Sequence, residues 1–178
     1  MDAALARDLR ALGAAAVPHV AGTLLPHLER TRDWLRRFGA REALCRAGLW
    51  HAVYGTAGID GVLVSHAARR EIAARIGDEA ERIVYRYAAC DRDRFHPRIG
   101  TGDELRFADR FTGRDGRITR AALRDFCELT LANELDLVVS NETFRGKHRH
   151  DLAALLARMR PHASYAAAAA LRDALAPV

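Results

Sequence analysis

Ala43-Leu44-Cys45-Arg46-Ala47-Gly48-Leu49-Trp50-His51-Ala52-Val53-Tyr54 is apolar on almost every side when wound into a helix. A helix of that kind belongs in an interior, so the rest of the chain is expected to wrap around it. This third helix spans about Arg41 to Tyr54 and ends at Gly55. Working outward, the same period recurs. A first helix covers about Asp2 to Ala16 and stops before Pro18. A second runs from Pro26, which fits a first helical position, to Phe38, with Gly39 as its stop. A fourth covers His66 to Ile76, stopped by Gly77, and a fifth covers Asp78 to Ala89. Thr119 caps a sixth, about Arg120 to Asn141. Two more lie near Asp151 to Met159 and Ser164 to Leu175.

Between Asp91 and Gly116 the pattern changes, and Gly100, Gly102, Gly113 and Gly116 mark turns. Leu105 to Ala108 and Arg117 to Thr119, joined across Gly113 to Gly116, predict a small β-hairpin. The expected fold is all-α: a bundle of about seven to eight helices with a small hairpin insertion, one domain over residues 1–178.

Composition narrows the function classes. The 28 Lys+Arg against 23 Asp+Glu give a net charge of +5, yet Lys147 is the only lysine. The arginines are interleaved with acids, as in Asp91-Arg92-Asp93-Arg94, and aromatics are 7%. A nucleic-acid surface calls for a continuous basic stripe with stacking rings, so no nucleic-acid partner is expected. No stretch reaches the roughly 18–20 apolar residues of a membrane span, and the N-terminus does not resemble a signal peptide. The expected location is the cytoplasm. Cys45, Cys90 and Cys127 lie far apart, without zinc spacing, and read as buried reduced thiols.

Several polar residues fall on faces that should be buried. His27 shares the apolar face of the second helix with Leu28, Thr31, Trp34, Leu35 and Phe38; Arg30 lies away from it. His51 enters the interior on the side of Leu44, Ala47 and Gly48. In the sixth helix, Glu134 falls near the middle of the apolar face and Asn133 at its edge, while Asp125, Glu128 and Asp136 point outward. Arg69 shares a face with Ile72, Ala73 and Ile76. A carboxylate in a core is costly unless paired, protonated or metal-bound. Buried polar groups from separate helices therefore point to a shared functional pocket.

His27-Leu28-Glu29-Arg30-Thr31, followed by Gly48-Leu49-Trp50-His51-Ala52-Val53-Tyr54-Gly55-Thr56, resembles the HD phosphohydrolase superfamily. There an early helical His precedes a helix ending in His-Asp, and a later helix supplies an Asp. The likeness is to hydrolase domains acting on guanosine alarmones, and to an HD-related family of unknown function. Arg70 to Gly77, Asp78 to Val84 and Leu131-Ala132-Asn133-Glu134-Leu135-Asp136 continue it over about residues 20 to 145. The resemblance implies an HD-like bundle with a divalent ion held by two His and two Asp. Here the His-Asp pair reads His51-Ala52 and the last Asp reads Asn133. Two imidazoles and an amide hold a hard ion poorly; with Glu134 as a third ligand, the set suits Fe²⁺, Zn²⁺ or Mn²⁺.

Three readings follow. The first is a metal-dependent hydrolase or oxygenase with His27, His51 and Glu134 as ligands. Arg69, Trp50 and Asn133 would contact a small-molecule, anionic substrate, and Tyr54 would donate a proton. The second is a metal-free isomerase, lyase or cyclase in which His27 and His51 are acid and base, with Glu134 orienting one ring. The third is a non-catalytic ligand-binding module. No membrane partner is expected, and the alanine-rich last helix allows a homodimer.

Overall fold

The computed structural model describes residues 2–20, 22–56, 61–101 and 105–176; Gly102 lies outside them. Nine α-helices occur among these residues: α1 (Asp2–Ala11), α2 (Leu24–Arg37), α3 (Glu42–Trp50), α4 (Arg69–Ile76), α5 (Asp78–Ala89), α6 (Arg92–Phe95), α7 (Arg120–Ser140), α8 (Glu142–Met159) and α9 (Tyr165–Ala174). Three single 3-10 turns (His66–Ala68, His96–Arg98 and Arg160–His162) and two antiparallel hairpins accompany them, β1 (Pro18–His19) with β2 (Gly22–Thr23) and β3 (Arg106–Asp109) with β4 (Arg114–Arg117). The fold is all-α with a small hairpin insertion. The short α6 and the β1–β2 hairpin are additions to the sequence reading.

The core is built around α7. Every residue from Phe126 to Val138 is buried. Helices α2, α3, α5, α8 and α9 all pack on it, and α2 packs in turn on α3. Buried apolar side chains from Leu5 to Leu175 join one core. Cys45, Cys90 and Cys127 are free and buried, as expected, and burial raises the Cys90 and Cys127 thiols to about 12. Among the described residues no helix is long and apolar enough to cross a membrane.

Local chemistry sets the boundaries. Thr119 Oγ1 accepts from the Ala122 N–H at 3.2 Å, capping α7 as predicted. Asn141 serves two helices: its N–H closes the end of α7 on the Leu137 carbonyl, and its Oδ1 accepts from the Phe144 N–H at 2.8 Å. That cap starts α8 at Glu142, well before the expected Asp151. The run Arg145 to His150 is therefore a solvated half-helix. Helix α1 stops at Ala11 rather than Ala16, because the chain reverses at Gly13 (φ 91°) and Ala14 N–H bonds back to Leu9.

The hairpin turn lies earlier than the sequence suggested. Asp109 Oδ1 accepts from the backbone N–H groups of Phe111 and Thr112, turning the chain over residues 110–113. Arg106 then pairs with Arg117 and Asp109 with Arg114, so Arg114 to Gly116 belong to the strand.

His96, in the turn after α6, gives the fold a specific acid sensitivity. Burial, with Arg92 and Arg158 adding to it, pushes its imidazole down to about 4 from an ordinary 6.5. The unfolded chain thus takes up this proton first. The contribution is complete above pH 6.5 and is lost as pH falls from 6.5 towards 4, worth up to about 3 kcal/mol. Urea midpoints are expected to fall over that window in the parent, and less steeply in His96→Gln. Equal slopes in both proteins would contradict this assignment.

Candidate functional site

Helix α2 carries His27 and Arg30 one turn apart, α7 carries Asn133, Glu134 and Asp136, and His51 sits at the C-cap of α3. Gly48 lets α3 approach α2 closely enough for the two histidines to meet. A Cβ there would run into Leu35 Cδ1 and stand 3.4 Å from Arg32 Cα. All of His27, His51, Asn133, Glu134 and Asp136 are buried.

His27 Nε2 lies 3.3 Å from His51 Nε2 and 3.1 Å from Asn133 Oδ1. The other nitrogen of each ring is occupied. His27 Nδ1 donates to Asp136 Oδ2 at 2.7 Å, and His51 Nδ1 donates to the Gly48 carbonyl at 2.7 Å. Asp136 also receives Arg30, with Nε on Oδ1 at 2.6 Å and Nη2 on Oδ2 at 3.1 Å. Asn133 is oriented by its own neighbour, its Nδ2 donating to Glu134 Oε1 at 3.1 Å. His19 stacks on His27 with ring centroids 4.2 Å apart, and the edge of Tyr87 meets His51 at 5.3 Å.

The hydrogen bonds dictate where lone pairs fall. With Nδ1 committed to donation, a neutral ring presents a lone pair on Nε2. His27 Nε2 then faces both His51 Nε2 and Asn133 Oδ1 across little more than 3 Å. Three lone pairs so placed repel, and a cation among them relieves the repulsion, whether a proton on one nitrogen or a metal ion.

The electrostatics agree with these partners. Burial, then the neighbouring His27, pushes His51 down to about 3, and burial above all lowers His19 to about 4. Burial alone would raise Asp136, but hydrogen bonds from His27 and Arg30 outweigh it and hold the carboxyl below its ordinary range. Glu134 has one neutral amide as its hydrogen-bond partner, and burial raises it.

The expected convergence of His27 and His51 beside Asn133 and Glu134 is therefore present. Other expectations need correction. Asp136 does not point outward: it is 1% exposed and anchors His27. Glu128 is also buried, accepting at 2.7 Å from both the N–H and Oγ of Ser164, where α9 begins. Glu134 turns its carboxylate to the Asn133 amide, leaving Asn133 Oδ1 as the third donor beside the histidines. Among the described residues no three His, Cys, Asp or Glu side chains share a metal-sized site.

Trp50 is wholly buried, so it offers no surface to a substrate. Tyr54 and Arg69 belong to a second cluster. Glu81, itself buried, accepts from Tyr54 Oη at 3.1 Å and from Arg69 Nε and Nη2 at 2.6 and 2.8 Å. Arg69 also lies over the Tyr85 ring at 3.8 Å. Burial and Glu81 raise the Tyr54 phenol above its ordinary range, so its proton stays put.

The helical period places Arg30 and Asp136 away from the apolar faces, and nothing in the sequence singles out His19 or the Gly48 carbonyl. One signal was present: Asp136 lies three residues after Asn133, hence on the same side of the helix.

Residues 8–92, just under half of the chain, match a family described as a domain of unknown function, DUF6817. The matched segment contains His19, His27, Arg30, Gly48 and His51; Asn133, Glu134 and Asp136 lie beyond it. No curated protein and no solved structure gives a match.

Proposed function

We propose that the chain is a small-molecule enzyme whose centre is a divalent metal ion held by His27 Nε2, His51 Nε2 and Asn133 Oδ1. The spacing of the two imidazole nitrogens carries this reading. Two nitrogens bound to one tetrahedral ion at roughly 2.0–2.1 Å stand roughly 3.3 Å apart, and here the separation is 3.3 Å. The outer contacts support it too. A carboxylate on His27 Nδ1 and a carbonyl on His51 Nδ1 are the partners that orient metal-binding imidazoles and leave Nε2 free to ligate.

Two imidazoles and an amide oxygen form a neutral donor set. It fits zinc or iron better than manganese, and it leaves positions open. An ion so bound supplies Lewis acidity for hydrolysis or, as iron, the chemistry of an oxygenase. Within the chain, Asp136 aims His27, Gly48 fixes the tautomer of His51, and Glu134 orients Asn133. On this reading the centre is a divergent HD site in which Asn133 replaces the last aspartate.

The test is metal analysis of protein purified without a metal-binding tag, compared with His27→Ala, His51→Ala and the double variant. Near-stoichiometric zinc or iron in the parent, lost in all three folded variants, is expected. A parent that takes up no metal after incubation with Fe²⁺, Zn²⁺ and Mn²⁺ would overturn the proposal.

A second reading rests on the same 3.3 Å separation, which a single proton also spans. In it the Asp136–His27–His51 chain works as a metal-free acid–base relay for an isomerase, lyase or cyclase. A metal-free parent showing an Nε2–H signal shared by the two rings in nitrogen NMR would favour it.

A further inference from the structure

We propose that Arg92 is the anion-recognition residue of this centre, so that the substrate carries an oxyanion, either phosphate or carboxylate. The inference rests on the reading of the histidine pair as an enzyme centre, and it adds the substrate class. Arg92 opens α6, whose first turn is fixed by Asp91 Oδ1 accepting from the Arg94 N–H at 3.2 Å. Its guanidinium lies 5.2 Å over the ring of buried Tyr87, whose edge in turn meets His51. A continuous line of contacts thus runs from Arg92 through Tyr87 to His51 and His27.

Arg92 is half-buried, yet among the described residues no carboxylate comes within ion-pair distance of it. Most of the other partly buried arginines among the described residues are neutralised: Arg30 by Asp136, Arg32 by Asp33, and Arg69 by Glu81. Arg86 also lacks a close carboxylate, but it faces Asp125 in a small hollow with Ile83 and Phe126. The charge of Arg92 is felt instead by the centre's own groups, His51, Tyr87 and Glu134.

Two further atoms beside Arg92 lack partners. Tyr87 Oη is buried near the Thr130 hydroxyl and the Arg92 guanidinium but is in hydrogen-bond geometry with neither. His96 Nε2, which also feels Arg92 and Arg158, is buried without a partner. Buried polar atoms are normally satisfied, and a buried guanidinium normally meets an anion. A guanidinium stacked on an aromatic face still presents its edge donors, which match the paired oxygens of phosphate or carboxylate. Arg92 thereby takes the substrate-anchoring role that Arg69, fully engaged with Glu81, does not fill.

The test titrates inorganic phosphate and, separately, acetate into the full-length protein, following backbone amide shifts and calorimetric heats. Metal content is measured on every sample. The parent is expected to bind at least one anion in the millimolar range, with shifts at Tyr87 and Arg92. Arg92→Gln should weaken that binding roughly 10-fold or more, and Arg92→Lys, which keeps charge but loses the fork, should fall between. The stronger anion names the oxyanion class.

A parent that binds neither anion, or an Arg92→Gln protein that binds as the parent does, would overturn the assignment. If Arg92→Gln fails to fold, Arg92→Lys binding identically to the parent overturns it equally. A parent that binds anion through Arg92 but takes up no metal leaves this inference standing and removes the metal centre instead.

Discussion

Asp136→Ala should be the most damaging single substitution at the centre, lowering stability by about 3–5 kcal/mol, or roughly 10 °C in melting temperature. The carboxylate is 1% exposed and makes three hydrogen bonds, to one nitrogen of His27 and two of Arg30. Its removal strands a buried imidazole N–H and the edge of a guanidinium. It also frees the His27 ring to rotate, so the spacing to His51 and Asn133 is lost together with the stability. Asp136→Asn keeps the shape and one acceptor oxygen, and should lose roughly half as much. Urea denaturation of the three proteins at pH 7 decides the matter. A loss under about 1 kcal/mol in the alanine variant would mean that Asp136 is solvated rather than anchoring.

The second large effect concerns Glu81. Arg69→Met is expected to cost about 3 kcal/mol, because it leaves a carboxylate that is 4% exposed with only the Tyr54 phenol as partner. The instructive comparison is the triple variant Arg69→Met/Glu81→Leu/Tyr54→Phe. Removing every member of a buried polar cluster leaves no charge to desolvate, so most of the lost stability should return. If the triple variant is less stable than Arg69→Met alone, the cluster has a packing role that charge does not explain. Because the cluster is separate from the histidine pair, neither variant should change metal content.

Much of this architecture was legible in the residues. The all-round apolar character of the segment around Gly48 announced a buried helix, and Gly77 and Thr119 marked real boundaries. The meeting of His27 and His51 followed from their placement on apolar faces. The reading failed where a helix has no outside. Helix α7 is enclosed by neighbours on every flank, so placing Asp136 and Glu128 away from its apolar stripe pointed them at other helices rather than at water. It failed again before Asp151, where the expected helix start fell nine residues after the true one at Glu142. A single capping side chain, Asn141, was enough to start the helix there.

The contact between His27 and Asp136 joins residues 109 apart in the chain. At ribosomal rates of roughly 5–20 residues per second, the first residue waits on the order of 5–20 s for the second. During that interval α2 and α3 exist without the helix that encloses them, and neither histidine has its later partners on α7. The centre is thus assembled by the closing of a long loop, among the slowest kinds of contact to form. A nascent chain held before α7 emerges would expose the apolar faces of α2 and α3 to whatever handles unfinished proteins.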